Sequence, residues 1–126
     1  MIRFSVPLRV KSLNAREHWR AKARRVAKER SDTHMAALHQ LGAAWTLRVC
    51  LPCTVTMTRV GRKRFDSDNL VGSLKAVRDQ IADDLKTGDG PDGPVTWRYA
   101  QRVGREYAVE IEIDDSAGRA AQEAFA

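Results

Sequence analysis

The chain has 126 residues, of which 43% are hydrophobic and 30% are charged. This length fits one compact domain with a single core, and it is long enough to fold without stabilising disulfides or metals. Charged residues interrupt every apolar stretch, and two cysteines are too few for a disulfide framework. The N-terminus has no long apolar region of the kind that secretion signals carry. We therefore expect a cytoplasmic protein that does not enter a membrane.

The two halves of the chain carry opposite charges. Residues 1–65 contain 15 lysines and arginines against three acidic residues, a net charge of +12, whereas residues 66–126 contain seven against 13, a net charge of −6. A basic half is typical of proteins that bind a polyanion such as nucleic acid. An acidic half that begins at a close cluster of carboxylates indicates binding of a hard cation.

The first predicted elements are a strand and a long helix. Residues 2–10 alternate apolar with polar or turn residues, which predicts a strand. Residues 15–41 contain no proline or glycine and predict a helix, which we expect to be interrupted at residues 31–33 because Ser, Asp and Thr favour caps and turns. The expected caps are Ser12 or Asn14 at its start and Gly42 at its end.

Residues 45–60 have the character of a strand, since apolar residues alternate there with Arg48 and with threonines. Pro52 falls inside this run, so it marks an edge position, a bulge or a break between two strands. A basic turn follows, made of Arg62, Lys63 and Arg64.

A second helix is predicted from one apolar stripe at helical spacing, formed by Leu70, Leu74, Val77, Ile81 and Leu85. Asp68 is its expected N-cap, where a carboxylate also meets the positive end of the helix dipole. A loop of glycines, prolines and aspartates over residues 88–94 ends the helix.

The remaining sequence predicts a β-hairpin around Gly104, with strands over residues 95–102 and 106–113. Residues 1–114 are thus expected to form one α+β domain, in which a small mixed β-sheet packs with two main helices. Residues 115–126 are expected to be a C-terminal tail with a weak helix over residues 119–126.

The residues that carry chemistry are Asp66 and Asp68, at the predicted junction of strand and helix. In an extended segment, residues two apart project from the same face, so both carboxylates can reach one ion. Mg²⁺ takes one or two carboxylates directly and leaves its other positions to water and phosphate oxygens. A third carboxylate from the loop after the helix would complete such a site, and Asp89 and Asp92 are the candidates.

These aspartates have two other interpretations. In a calcium loop that begins at Asp66, the sixth and twelfth positions would be glycine and glutamate, but here they are Val71 and Val77, so that loop is excluded. In a purely structural interpretation, Asp68 only caps the helix and Asp66 is solvated.

The aspartates belong to a longer pattern that resembles the RusA family of Holliday-junction resolvases, especially its phage and prophage members. The resemblance covers about residues 4–113 and includes the glycine- and aspartate-rich loop and the closing strands. Its most specific segments are Ser12-Leu13-Asn14-Ala15-Arg16-Glu17-His18-Trp19, Asp66-x-Asp68-Asn69-Leu70, Lys75-Ala76-Val77-Arg78-Asp79-x-Ile81-Ala82-Asp83 and Val95-Thr96-Trp97.

The resemblance implies a homodimeric, Mg²⁺-dependent crossover junction endodeoxyribonuclease, with Mn²⁺ as a substitute metal, that nicks four-way junctions symmetrically in DNA recombination and repair. It also implies a phage or prophage gene product. The family's catalytic aspartates correspond to Asp66 and Asp68, and its third corresponds best to Asp89, with Asp92 as the alternative. A catalytic lysine of the family is replaced here by Gly72. Lys75 is the candidate for its role, and the competing interpretation is a solvated lysine paired with Asp79 at i+4.

A second group of basic residues forms a column at four-residue steps, Arg16, Arg20, Arg24 and Lys28. Like charges at that spacing repel slightly, so helix propensity does not explain the column, and we expect it to contact DNA phosphates together with the basic turn. A solvated helix face is the alternative. Trp19 could stack on a base, but its spacing favours a place in the core.

Cys50 and Cys53 have a spacing that also occurs in zinc and redox sites, but they lie in a strand pattern without a second cysteine pair, which favours a structural role.

The competing functions that the sequence leaves open are a DNA-binding protein without catalysis and a nuclease that acts on flaps, forks or plain duplex.

Overall fold

The computed structural model of the chain describes residues 1–12, 16–88 and 90–125. Within these ranges it contains four strands, β1 (Ile2–Val6), β2 (Cys53–Gly61), β3 (Val95–Val103) and β4 (Ala108–Asp114), and four helices, α1 (Trp19–Leu41), α2 (Ser67–Ser73), α3 (Lys75–Asp84) and α4 (Ser116–Ala124). A 3₁₀ turn, Trp45–Arg48, lies between α1 and β2. The predicted α+β class is confirmed. None of the helices so described has the length and apolar character that a membrane span requires.

The four strands form one mixed sheet in the order β1-β4-β2-β3. β2 runs parallel to β3 and antiparallel to β4, which in turn runs antiparallel to β1. The predicted hairpin of β3 and β4 is wrong, because β2 lies between them and pairs with both. Near the turn, the Gly104 amide donates to the Gly61 carbonyl at 2.9 Å, so the connection from β3 to β4 passes the end of β2.

Helix α1 packs against β1 and α3, whereas α2 contacts β3 and α4 contacts β2. Alternate residues of the strands point toward the helices and are buried, whereas their neighbours, such as Thr54, Thr56 and Glu112, are only partly buried on the other face. The fully buried side chains of the core include Val6, Val55, Met57, Leu74, Val77, Ile81, Val109 and Ile113.

Helix α1 begins later than predicted and is continuous. Its N-cap is His18, whose Nδ1 accepts a hydrogen bond from the Arg20 amide at 3.1 Å, rather than Ser12 or Asn14, and Asn14 lies outside the described residues. An imidazole nitrogen next to the first turn satisfies one of the amides that a helix start leaves unpaired. The end was predicted correctly, since Gly42 follows the last turn with a φ of 93°, a conformation that favours glycine.

The expected interruption of α1 at residues 31–33 is wrong. The Thr33 hydroxyl donates to the carbonyl oxygen of Glu29 at 2.8 Å, and the Asp32 carboxylate accepts from Lys28 Nζ at 2.6 Å. Both polar side chains therefore find partners within the helix and do not compete with its backbone.

The second predicted helix is divided into α2 and α3. Leu74, whose φ is −97° and ψ is 4°, separates the two helices and is fully buried. The apolar stripe still packs in the core, with Leu70, Val77 and Ile81 buried and Leu85 against it. Burial of the stripe was thus predicted correctly, while the break in the backbone was not.

The C-terminal segment, predicted to be a tail with a weak helix from residue 119, forms α4 from Ser116 onward and docks on the segment before β2. Asp115 is 2% exposed and accepts from the Cys50 amide at 3.0 Å and from Arg119 Nε at 3.1 Å. Burial alone would raise the pKa of Asp115, but these hydrogen bonds lower it overall. The strand predicted from residue 45 begins only at Cys53, because Trp45–Arg48 form a 3₁₀ turn. Pro52 therefore lies directly before β2 and not between two strands.

Candidate metal site and DNA-binding surface

The corner between β2 and α2 holds the two aspartates of the predicted metal site. Asp66 is the N-cap of α2: its Oδ1 accepts from the Asn69 amide at 2.9 Å, and its Oδ2 accepts from Asn69 Nδ2 at 3.1 Å. Asp68, which was predicted to be the cap, lies instead in the first turn of the helix. A cap side chain reaches amides two or three residues ahead, so the cap at Asp66 moves the start of the helix two residues earlier than predicted.

Both carboxylates are exposed at this corner. Each carboxylate oxygen has more than one acceptor position, so capping leaves Asp66 able to bind a cation as well. The expectation that both side chains project from one face of an extended segment is wrong, because Ser67 and Asp68 are helical. The positive end of α2 opposes a cation, so the two negative charges must supply the attraction. Two exposed carboxylates fit Mg²⁺, because this hard cation prefers oxygen ligands and leaves its remaining positions to water and phosphate.

The loop aspartates are not brought to this corner within one chain, as far as the structure describes them. Asp92 is exposed in the loop between α3 and β3, and Asp89 lies outside the described residues. β3 starts beside Cys53, at the end of β2 opposite to the aspartate corner. In keeping with this separation, the described residues contain no group of three His, Cys, Asp or Glu side chains that could hold a metal ion.

The basic turn before the aspartates is held by a buried arginine that the sequence analysis missed. Arg59, which is 4% exposed, donates from Nη1 to the Lys63 carbonyl at 2.7 Å and lies 3.5 Å from the centre of the Phe65 ring. Burial lowers the pKa of Arg59. The sequence did contain a sign of its burial, because Arg59 continues the alternate positions of β2 that are buried, starting at Cys53. Its contacts leave Arg62, Lys63 and Arg64 exposed around the turn.

Gln101 on β3 fixes the residue that precedes Asp66. Its Oε1 accepts from the Phe65 amide at 2.9 Å, and its Nε2 donates to the Phe65 carbonyl at 2.7 Å. The Gln101 side chain thus gives Phe65, which follows the end of β2, the two backbone hydrogen bonds that a neighbouring strand would otherwise supply. Nothing in the sequence pattern distinguishes this glutamine, since the contact joins residues 36 positions apart.

We expect Gln101→Leu to lower the free energy of unfolding by about 1–3 kcal/mol, because a part-buried amide and carbonyl lose their partners. Urea denaturation followed by circular dichroism measures this change. Gln101→Glu is the matched control for the donor: it keeps an acceptor for the Phe65 amide but offers no donor to the carbonyl, so it should also be destabilising. Wild-type stability of both variants would show that Gln101 does not hold the corner.

The predicted basic column is only partly formed on α1, because Arg16 precedes the helix and only the other three residues lie on it. Arg16, Arg20 and Arg24 are exposed, whereas Lys28 pairs with Asp32, as on a solvated helix face. Trp19 is 68% exposed, so its predicted place in the core is wrong. The Arg20 guanidinium lies 5.0 Å from the centre of the Trp19 ring. An exposed indole beside arginines is suited to stacking on an unpaired base.

Lys75 adopts the alternative arrangement, an exposed lysine paired with Asp79. Its Nζ donates to Asp79 Oδ2 at 2.7 Å, and the side chain is exposed. It also lines a cleft between α1 and the junction of α2 and α3, together with Arg16 and Gly72. The lysine therefore lies beside the helix that carries the aspartates, with its charge partly balanced by Asp79.

The cysteines have structural environments. Cys53 is buried at the start of β2, and burial raises the pKa of its thiol to about 11. The Cys50 thiol donates to Gln122 Oε1 at 3.1 Å, which ties the segment before β2 to α4. Both contacts favour the structural role expected from the sequence over zinc or redox chemistry.

Comparison of the chain with family models, with curated proteins and with solved structures found no match. The function therefore has to be inferred from the chain's own residues and from their arrangement.

Proposed function

We propose that the chain is a Mg²⁺-dependent endonuclease that cuts branched DNA, with the four-way junction as its preferred substrate. The observation that carries the proposal is the exposed pair Asp66 and Asp68 directly after the exposed basic turn of Arg62, Lys63 and Arg64. A cation site and a phosphate site lie next to each other there, which is the arrangement that metal-assisted hydrolysis of a phosphodiester needs. The resemblance of the sequence to RusA resolvases points to the same activity.

In the proposed reaction, Asp66 and Asp68 hold the cation, and the basic turn holds the DNA backbone against it. When bound, Mg²⁺ supplies Lewis acidity for the attack of water on phosphorus and offsets charge on the leaving oxygen. Water adds a hydroxyl group to phosphorus, the bond from phosphorus to one sugar oxygen breaks, and that oxygen takes the proton. Asp66 has a second role, because its carboxylate also fixes the start of α2.

We further propose that the enzyme works as a homodimer. A twofold dimer presents two equivalent sites to the two equivalent strands of a four-way junction. If Asp92 is the third ligand, a second copy is the favoured source, because Asp92 shortly precedes β3, which starts at the end of β2 opposite to the aspartate corner. Asp89, the preferred third ligand by sequence, remains a candidate. A bacterial cytoplasm, with a phage or prophage gene as the source, is part of this proposal.

A DNA-binding protein without catalysis is the second candidate. The specific observation in its favour is the cap at Asp66, because capping alone gives that carboxylate a structural purpose. The basic surfaces would then bind DNA without any metal.

The two candidates are separated by one set of substrates. Purified protein is incubated with end-labelled four-way junction, flap, fork and plain duplex of shared sequence, at fixed ionic strength with Mg²⁺, and each sample is analysed for binding and for cutting. We expect symmetric nicks in the junction. Binding of the junction without nicks would establish the non-catalytic protein. Equal cutting of flap, fork or duplex would keep the nuclease and remove the junction preference.

A further inference from the structure

Three arginines and a tyrosine meet at the end of the sheet where the basic turn lies. Val6, the last residue of β1, pairs with Val109 near the start of β4, and Val109 pairs with Arg59 near the end of β2. The segments that leave β1 and β2 and the segment that enters β4 therefore lie side by side. The group formed there, which we call the arginine platform, consists of Arg9, Arg62, Arg105 and Tyr107.

Tyr107 holds the arginine platform together. The Arg9 guanidinium lies over its ring, 4.5 Å from the ring centre, and the Arg62 guanidinium lies 5.9 Å from the same centre. Arg62 Nε also donates to the Arg105 carbonyl oxygen at 3.4 Å. The face of an aromatic ring attracts cations, so Tyr107 brings together arginines that repel each other.

The positive charge of the platform is not balanced within the chain. Among the residues that the structure describes, no aspartate or glutamate forms an ion pair with a platform arginine, and all three arginines are exposed. By contrast, Arg102 at the same end of the sheet is paired with Glu110 at 2.9 Å. Glu106, the carboxylate nearest to the platform in the chain, offsets at most one of the three charges. Burial lowers the pKa of the neighbouring Arg59, and the charge of Arg9 lowers it further. An anion is therefore the partner that this surface favours.

The chemistry of the platform fits the phosphates of a DNA backbone. The guanidinium group presents a planar set of N–H donors that match the oxygens of a phosphate. The platform shares Arg62 with the basic turn, so it continues the surface that is proposed to hold the DNA. Because Arg9 already lies over the Tyr107 ring, the ring serves the arginines rather than a base.

The platform and the aspartates lie on opposite sides of the basic turn. The aspartate corner is tied to β3, since Gln101 binds Phe65 and α2 contacts β3. The platform instead follows β1 and precedes β4, which lie on the other side of β2. Neighbouring strands are about 5 Å apart, so β1 is about 10 Å from β2, a distance that a few nucleotides span.

We propose that the arginine platform binds backbone phosphates of the DNA a few nucleotides away from the phosphodiester at the aspartate corner. Arg9, Arg62 and Arg105 contact the phosphates, and Tyr107 positions the arginines. The binding does not depend on base sequence, because phosphates are the same at every nucleotide. The inference rests on the proposed function only in taking DNA as the ligand, and it requires neither metal nor cleavage.

The test measures binding of a labelled plain DNA duplex in EDTA by fluorescence anisotropy over a series of salt concentrations. Arg9→Ala together with Arg105→Ala removes two exposed platform arginines and leaves the core intact. Each lost phosphate contact makes the dependence of log affinity on log salt concentration less steep by about 1. We therefore expect the slope of the platform variant to decrease by about 2 and its affinity at low salt to fall about tenfold or more.

The matched control is Arg3→Ala together with Arg98→Ala, which removes the same charge from another part of the surface. Both arginines are exposed. Arg3 pairs with Glu112, Glu112 with Thr56, and Thr56 with Arg98, so the two arginines lie in one row across the middle of the sheet. The control should keep the wild-type slope. An equal loss in the control would show that net charge alone matters, and it would overturn the proposal.

A second pair of variants tests the ring and leaves every arginine in place. We expect Tyr107→Leu to weaken duplex binding about threefold and Tyr107→Phe, which keeps the ring, to bind as the wild type does. Wild-type binding by Tyr107→Leu, or a wild-type slope in the platform variant, would overturn the proposal. Junction cutting by wild-type protein with Mg²⁺ in that case would show that the nuclease function stands without the platform. The expected slopes without any cutting would establish the platform and remove the nuclease.

Discussion

Asp68→Asn should lower the rate of Mg²⁺-dependent junction cutting by at least about 100-fold, because it removes a direct metal ligand. The side chain is exposed, so the core is unaffected. Loss of a negative charge in the first turn of α2 costs about 0.3–1 kcal/mol of stability, too little to unfold the domain. Binding of the junction in EDTA should be retained, since the variant leaves the basic turn and column intact.

The control for Asp68→Asn is Glu123→Gln, which removes an exposed negative charge far along the chain in α4. It should cut as the wild type does. A readout independent of activity is paramagnetic broadening by Mn²⁺ in amide NMR spectra: we expect wild-type protein to show it around residues 66–70 and Asp68→Asn to show much less. Normal cutting by Asp68→Asn, or unchanged broadening, would remove Asp68 from the metal site.

Gly118→Ala should lower the free energy of unfolding by about 1–3 kcal/mol, although alanine is the better helix former. Gly118 is buried where α4 packs on the segment before β2. A Cβ there would collide with the carbonyl oxygen of Cys50 and lie 2.8 Å from that of Pro52. Both neighbours are backbone atoms, so α4 must shift, which strains the hydrogen bond from the Cys50 amide to Asp115.

The sign of this effect separates packing from helix propensity. Propensity alone predicts that Gly118→Ala stabilises the protein by about 0.5–1 kcal/mol. The control is Ala121→Gly on the exposed side of α4, which should be destabilising by that same amount. Urea denaturation of the three proteins measures the differences. A Gly118→Ala protein as stable as the wild type, or more stable, would show that α4 does not dock as described.

Features that depend on neighbouring residues could be predicted from the sequence. Gly42 ends α1 because its backbone needs a positive φ, and the stripe from Leu70 to Leu85 is buried because helical spacing places it on one face. The α+β class follows from the alternation of such segments. These signals are local, and the structure confirms them.

Features that depend on residues distant in the chain could not be predicted from the sequence. Two strand patterns joined by a short turn predict a hairpin, but pairing is decided by the whole sheet, and β2 takes the place between β3 and β4. Trp19 has a spacing that fits a core position, yet it lies beyond the part of α1 that packs on the sheet. The docking of α4 depends on the backbone of Cys50, which no local pattern reveals.

The same division applies to the candidate site. The aspartates and the basic turn are neighbours in sequence, so their proximity was predictable. The contacts that hold them in place were not predictable. Gln101 belongs to another strand, and Arg59 is a charged residue at a strand position that is buried. The place of Asp92 relative to the corner depends on the pairing of distant strands, because β3 starts at the end of β2 opposite to the aspartates.

The central claim is that a divalent cation bound at Asp66 and Asp68 cuts DNA held by the basic turn. Its most direct test is cleavage of an end-labelled four-way junction by wild-type protein with Mg²⁺ and with EDTA, beside Asp66→Asn with Mg²⁺. Asparagine still caps a helix, so this variant removes charge without removing the start of α2. We predict symmetric nicks by wild-type protein with Mg²⁺ alone. Nicks of equal yield in EDTA, or by Asp66→Asn, would contradict the account.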